Sequence, residues 1–434
     1  MGLVALRDLS PGDTALAVPN TVCLAVDYAA GGVELPAGHA WPRLDRALRS
    51  DPDMPWDFGL ALALLDALAG DGGEWWGEYA EELLPPPLAL TLPTCLPGDL
   101  LALTAHPALI EGAAAQKARL TKSFPTMSVP AVEEGGSDAA PFPSSAAAPT
   151  HIQWGFGCVR SRAFSLGPDR FAVVPFLDAA NHADADPARP AAAYRFVEGE
   201  GTGVDDGDRV ELVMLRGVRV GEEVTVSYTG PEGATNRRLM AQYGFVPAGG
   251  NPGDRVEGLD FSAARAAAGL APGTSFSLAS LQARLGDAMF ADAASGRAPR
   301  LWAALKSLPI KGEEGEGGGA GGTPTPAEAL AAATKAAAAA GGAPDAALTI
   351  DPATAASEAA LAGALLAQVD ALVAESVSAG AAADPASDAA AAAEAEAAVA
   401  AGGDPRLAAV LRYRAERGAL LAATGAVLRL LAKE

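Results

Sequence analysis

The sequence predicts an α+β protein, with a split β-rich domain interrupted by a helical insert and followed by an all-α lobe. Three observations carry that reading. Strand-like alternation occurs in two blocks, residues 3–18 and 170–228, and apolar residues recur at helical spacing between them. Beyond Asp260 strand signals fade and helical periodicity returns.

In the first block, residues 3–6 and 14–18 flank the turn Ser10-Pro11-Gly12-Asp13 and read as a hairpin closed by Pro19. Residues 216–220 and 224–228 flank Gly221-Glu222 in the same layout and read as a second hairpin. Residues 170–176 and 209–215 alternate well enough for a half-buried sheet, and the Gly- and Asp-rich stretch 197–208 between them is a turn or loop.

From Trp41 the period changes. Phe58, Leu60, Leu62, Leu64, Leu65 and Leu68 fit a buried helix with Asp57 as its N-cap. Trp75, Trp76 and Tyr79 form an aromatic cluster before Pro85-Pro86-Pro87, and Leu100, Leu101 and Leu103 indicate another helix after Pro97-Gly98-Asp99. Residues 123–150 then loosen into a surface loop.

Past Asp260, helices are expected over 277–290 and 301–308, while 311–346 and 378–403 read as Gly- and Ala-rich flexible insertions. The last helix is signalled by Asp404 as cap and Pro405 at its first position, with Leu407, Val410, Leu411, Leu421, Leu428 and Leu431 along one face.

At 434 residues the chain exceeds one compact core, since domains average about 150 residues. Half of it is hydrophobic, but much of that half is alanine, which buries little area. The net charge of -22 repels phosphate backbones and anionic lipid headgroups and favours basic or lysine-bearing proteins, or simply solubility. Cys23, Cys95 and Cys158 are odd in number and widely spaced, which indicates neither a disulfide framework nor a structural metal and fits a reducing compartment. No apolar stretch is expected to reach transmembrane length, and Met1-Gly2-Leu3-Val4 runs into strand-like sequence with no signal or transit segment.

The motifs lie in the second β block. Pro175-Phe176-Leu177-Asp178-Ala179-Ala180-Asn181-His182 is followed by Gly221-Glu222-Glu223-Val224-Thr225-Val226-Ser227-Tyr228, then by Asn236 and Tyr243-Gly244-Phe245. Each has an ordinary structural explanation when taken singly: a tyrosine closing a strand, a loop Asn-His pair, an apolar ring in a core. Their order in one chain is rarer.

That order resembles the C-terminal half of a SET domain, the fold that carries methyl groups from S-adenosyl-L-methionine to protein side chains. The resemblance implies that Tyr228 is the catalytic tyrosine, that Asn181 and His182 hold the cofactor, and that Tyr243 and Phe245 pack near its adenine. Upstream, Gly157-Cys158-Val159-Arg160-Ser161-Arg162-Ala163-Phe164 resembles the plant Rubisco large-subunit and aldolase lysine methyltransferases. By that likeness Arg162 and Asp178 lie at the cofactor and substrate pocket, as a salt bridge between them would also allow, and Tyr194 lines the lysine channel. Phe164 stands where relatives that methylate actin histidine have a polar residue, and an apolar wall suits a lysine stem. Gly2 and Leu3 fall on the amino-terminal cofactor turn. Relatives carry further residues before this Gly-Leu-Val, so either the protein starts earlier or its cofactor affinity is weakened.

Extended along the chain, the resemblance gives SET portions at 1–40 and 151–247, a helical insert and loop at 41–150, and a Rubisco-substrate-binding-like lobe at 258–434. That last match is carried chiefly by Arg412-Tyr413-Arg414. No zinc-binding cysteine cluster follows Tyr243, which points away from chromatin. The implied activity is protein-lysine N-methylation of a non-histone protein, a plastid protein such as Rubisco large subunit or aldolase among them. The chain would act as a monomer without metal, nucleic acid or membrane. The alternatives are a SET-like binding module without catalysis and a protein-histidine methyltransferase.

Overall fold

The computed structural model describes residues 2–27, 41–51, 54–71, 74–128, 148–183, 190–199, 207–229, 233–295, 297–311 and 351–433. Among the described residues, eight short strands lie before residue 225: β1 (Leu3–Val4), β2 (Thr14–Pro19), β3 (Leu24–Asp27), β4 (Ala163–Ser165), β5 (Arg170–Val173), β6 (Ala192–Val197), β7 (Arg209–Met214) and β8 (Glu223–Val224). They form three antiparallel sheets, β1-β8, β2-β7-β6 and β3-β5-β4. Val18, Ala172, Val210, Leu212, Met214, Val224 and Val226 share one core between them.

Neither expected hairpin closes on itself. The two segments instead pair with each other, through Leu3 opposite Val224 and an isolated bridge from Leu9 to Val218. The turn at residues 10–13 delivers β2 to β7, where the Gly12 N–H donates to the Met214 carbonyl at 2.9 Å. Alternation reports which face of a strand is buried, not which strand completes its ladder. Of residues 224–228, only Val224 lies in a ladder, and Val226 makes a parallel bridge to His182.

The insert between β3 and β4 is helical, as its period predicts. In the helix Trp56–Asp66 every residue from Phe58 to Asp66 is buried, so it is a core helix rather than a surface one. Asp57 does not cap it. Pro55 occupies the N-cap, and Asp57 sits in the first turn facing Arg160 at 3.4 Å. The buried Asp66 carboxylate accepts the N–H groups of Arg43 and Leu44 at 3.0 and 3.1 Å, anchoring the start of the helix Pro42–Ser50. A 17-residue helix, Pro107–Ser123, follows the short Gly98–Ala102 turn of helix. Most of the expected loop at 123–150 lies outside the described residues.

Among its described residues the C-terminal part is helical apart from a two-residue parallel pairing of β9 (Phe276–Ser277) with β10 (Ile310–Lys311), which the fading strand signals did not reveal. The helix expected over 277–290 is two, Leu278–Leu285 and Asp287–Ala294, broken at Gly286. Phe276, Leu281, Phe290, Trp302, Leu361, Leu365, Val369 and Leu428 form the core of this lobe. Burying each such side chain stabilises the fold by about 1.5 to 3 kcal/mol.

Asp404 caps the helix Pro405–Leu431 by accepting the Arg406 N–H at 2.8 Å. Two expectations fail here. Residues 378–403 are not a flexible insertion: Asp384 caps the helix Pro385–Val399, which packs along Pro405–Leu431, because alanine propagates a helix and lets two axes approach closely. The helix Pro352–Ser378 is also long and apolar enough to cross a membrane, with a mean hydropathy of 1.5 in its most apolar window. Alanine supplies much of that value, and Leu361, Ala362, Leu365 and Val369 face the core of the lobe. Of the other expected insertion, 311–346, Lys311 belongs to β10 and residues 312–346 lie outside the described residues.

Candidate active site

Three separated segments build the site. The first is the helix His151–Arg162, started by a reciprocal cap in which Thr150 Oγ1 accepts the Gln153 N–H and Gln153 accepts the Thr150 N–H. It ends with Arg162, which donates to Asp178 Oδ2 at 3.1 Å and to the Asp178 carbonyl at 3.2 Å. The Asp178 side chain is wholly buried and that of Arg162 is 17% exposed. Burial pushes the Asp178 carboxyl up, opposed by Arg162 and by the Tyr79 hydroxyl that donates to Oδ1.

The second segment runs from β5 through a single 3-10 turn, Leu177–Ala179, to Asn181 and His182. It lies beside residues 225–228: Val226 donates to the Asn181 carbonyl at 2.9 Å and Ala183 donates to the Val226 carbonyl at 3.0 Å. This pairing leads directly into Tyr228, whose hydroxyl donates to the Ala180 carbonyl at 2.7 Å. The Asn181 amide donates to Glu223 Oε1 at 2.7 Å. Gly2 closes the same corner, because a Cβ there would lie 2.6 Å from Glu223 Oε1 and 2.7 Å from Asn181 Nδ2. Leu3 packs against the sheet core and pairs with Val224.

The third segment is the helix Asn236–Tyr243. Thr235 caps it, and the Asn236 N–H donates to buried Asp254 at 2.9 Å. Its last residue, Tyr243, donates its hydroxyl to the Tyr228 carbonyl at 3.0 Å, and Gly244 ends it in the left-handed conformation at φ +77°. The rings of Tyr228 and Tyr243 lie 4.7 Å apart, and those of His182 and Phe245 lie 5.9 Å apart. Burial raises the Tyr243 phenol and lowers the His182 imidazole, so both are neutral near pH 7.

These elements enclose a cavity of about 1020 Å³ lined by Arg162, Asp178, Asn181, His182, Tyr228, Tyr243 and Phe245 among others. It is large enough for a nucleoside-sized ligand with an amino-acid arm, since ligand sites typically span about 300–1,000 Å³. Its lining is mixed, with rings at Tyr243 and Phe245 and charges at Arg162, Asp178, Glu222 and Glu223. Four expected residues lie outside that lining. Gly2 and Leu3 stand behind Asn181 and Glu223, whereas Phe164 and Tyr194 pack edge to face at 4.8 Å in the core cluster that also contacts Tyr228.

Sequence reasoning missed Glu223 and Tyr79 as site residues. Glu223 could have been found from its place in the Gly-Glu-Glu turn. Tyr79 gives no such signal, because it arrives from the insert, ninety-nine positions before Asp178.

No family model matches the sequence, and neither does any curated protein. Among solved structures it is similar to the SET domain of LSMT bound to lysine and AdoHcy, at 18% identity over 99% of this chain and 84% of that chain, with a TM-score of 0.48. It is similar also to Rubisco LSMT bound to sinefungin and monomethyllysine, at 18% identity over the same shares, with a TM-score of 0.49. Scores of that size carry no assignment of fold or activity.

Proposed function

We propose that the chain is an S-adenosyl-L-methionine-dependent protein-lysine N-methyltransferase of the SET type, acting on a non-histone protein. One observation carries this reading: the Asn181-His182 turn, Tyr228 and the Tyr243-Phe245 pair come from separate segments and line a single cavity. Tyr243 and Phe245 suit a flat purine. Asn181, His182, Glu223 and Arg162, with the backbone at Gly2 and Leu3 behind them, suit a charged amino-acid arm. When bound, the cofactor supplies an electrophilic methyl group.

Methyl transfer to an amine requires alignment, a neutral nitrogen and exclusion of water. Tyr228 is the residue we assign to alignment, because its phenol is pinned to Ala180 and cannot swing freely. A lysine has an ordinary pKa of about 10.4, and apolar walls disfavour its ammonium form. In this reading Phe164 and Tyr194, which pack edge to face in the core cluster that contacts Tyr228 and lie outside the cavity lining, would back the lysine stem, with Asp178 at the substrate end. The plastid reading, with Rubisco large subunit or aldolase as substrate, rests on the likeness of residues 157–164 and on the helical lobe. In this reading 1–40 and 151–247 form the catalytic domain, 41–150 its insert and 258–434 the substrate-binding lobe of a monomer.

A second reading, a SET-like binding module, has one observation in its favour: the Asn181 amide is already taken by Glu223. Purified protein incubated with labelled S-adenosyl-L-methionine and plastid or cytosolic extract tests both. The enzyme reading expects label on a lysine, located by mass spectrometry. Cofactor binding without transfer to any protein would select the binding module, and absence of both would end the SET reading.

A further inference from the structure

Phe176 is one of the two non-glycine residues with positive φ among the described residues, at +65°. It stands at the entrance to the Leu177–Ala179 turn, two residues before Asp178. Such a conformation is costly for a bulky residue and persists only where its surroundings hold it. Exposed over 47% of its surface, Phe176 is not held by burial. Its N–H donates to the Tyr79 hydroxyl at 3.3 Å, and that hydroxyl in turn donates to Asp178 Oδ1.

With Asp178 ionised beside Arg162, its carboxylate can only accept, so the phenol proton points to Asp178 and its lone pair faces Phe176. Tyr79 is 4% exposed and is stacked on Trp75 at 5.4 Å, with Trp76 edge-on at 5.3 Å. The ring is thus fixed by the helix Glu74–Leu83, not by the turn it grips. Two residues beyond Asp178, Ala180 offers the carbonyl to which Tyr228 is pinned.

We infer that Tyr79 is a positioning residue for the cavity: one phenol from the helical insert holds Phe176 and Asp178, and through them the carbonyl that orients Tyr228. The kinetic part of this inference rests on the methyltransferase reading, whereas the structural part does not. Asp178 is faced by Arg162 and Cys158 from the helix His151–Arg162 and by Tyr79 from the insert. Of these, Arg162 and Tyr79 hold its carboxyl down against burial.

Tyr79→Phe keeps the ring stack and deletes only the hydroxyl. Leaving a buried carboxylate oxygen unpaired is expected to lower kcat about tenfold or more, with the dissociation constant for S-adenosylhomocysteine within about twofold. The acid limb of the rate profile should also move to higher pH, a change that loss of helix packing alone would not produce. A crystal structure of the variant should show Phe176 at negative φ and the contact from Tyr228 to Ala180 lengthened. Unaltered kcat and an unaltered turn would overturn the assignment. If the parent protein transfers no methyl group, the proposed function fails, and the turn geometry of the variant alone decides the role of Tyr79.

Discussion

The backbone N–H of Tyr228 donates to Nδ1 of His182 at 3.1 Å. That bond fixes the tautomer: Nδ1 must be the acceptor, so the ring proton resides on Nε2 and a second proton would break the contact. Burial lowers the imidazole pKa in the same direction. The segment carrying the phenol and the Asn-His turn are therefore one unit, joined by this bond, by the Val226 bridge and by the phenol's own bond to Ala180.

Tyr228→Phe removes the phenol oxygen while leaving its ring against His182, Tyr243 and Phe245. Folding and cofactor binding should change little. Methyl transfer should slow about a hundredfold, because losing an interaction made only in the transition state lowers kcat and kcat/KM together. Single-turnover transfer of labelled methyl measures it, and unchanged turnover would remove Tyr228 from the mechanism.

Asn181→Ala should act on binding instead. The variant frees Glu223 and deletes an exposed amide that faces the cavity, so the affinity for S-adenosyl-L-methionine should fall about tenfold, a loss of about 1.4 kcal/mol. Calorimetric titration reads this directly. Equal affinity in parent and variant would mean that Asn181 serves only to hold Glu223.

Much of the cavity lining was legible because its residues sit in local motifs. Asn181-His182, Tyr228 and Tyr243-Gly244-Phe245 each carry a short signature, and seven of the eleven expected site residues line one cavity. Pairings at long range were not legible. β1 finds β8 across more than two hundred residues, and Tyr79 finds Asp178 across ninety-nine, and neither leaves a period or a spacing in the sequence. Residues 378–403 misled for a different reason: low complexity signals disorder only where no partner surface exists, and the helix Pro405–Leu431 provides one.

Gly244→Ala tests the corner behind Tyr243. The residue sits at φ +77°, and an added Cβ would meet the Leu92 backbone nitrogen at 2.8 Å, where no flexible side chain can yield. The combined strain and clash should cost about 1 to 3 kcal/mol in denaturant unfolding and weaken cofactor binding through displacement of Tyr243. A variant as stable as the parent would show that the helix end can shift without consequence.

His106 offers a pH test at the junction of insert and C-terminal lobe. Its Nδ1 lies 2.5 Å from the Tyr413 hydroxyl, and its pKa falls from 6.5 to about 3 through burial, with Arg417 and Arg237 adding to the shift. The unfolded chain therefore binds the extra proton first. Stability from the neutral ring is complete above pH 6.5 and is lost as pH falls from 6.5 towards about 3. Asp254, in the same small cavity, opposes this trend, because its carboxyl is raised to about 7 and favours the folded state at low pH. Comparing parent with His106→Gln isolates the imidazole, since the amide can still pair with Tyr413 but cannot titrate. The melting temperature of the parent relative to the variant should decline steadily between pH 7 and pH 4. A difference that stays flat across that range would mean that His106 is protonated as readily in the folded protein as in the unfolded chain.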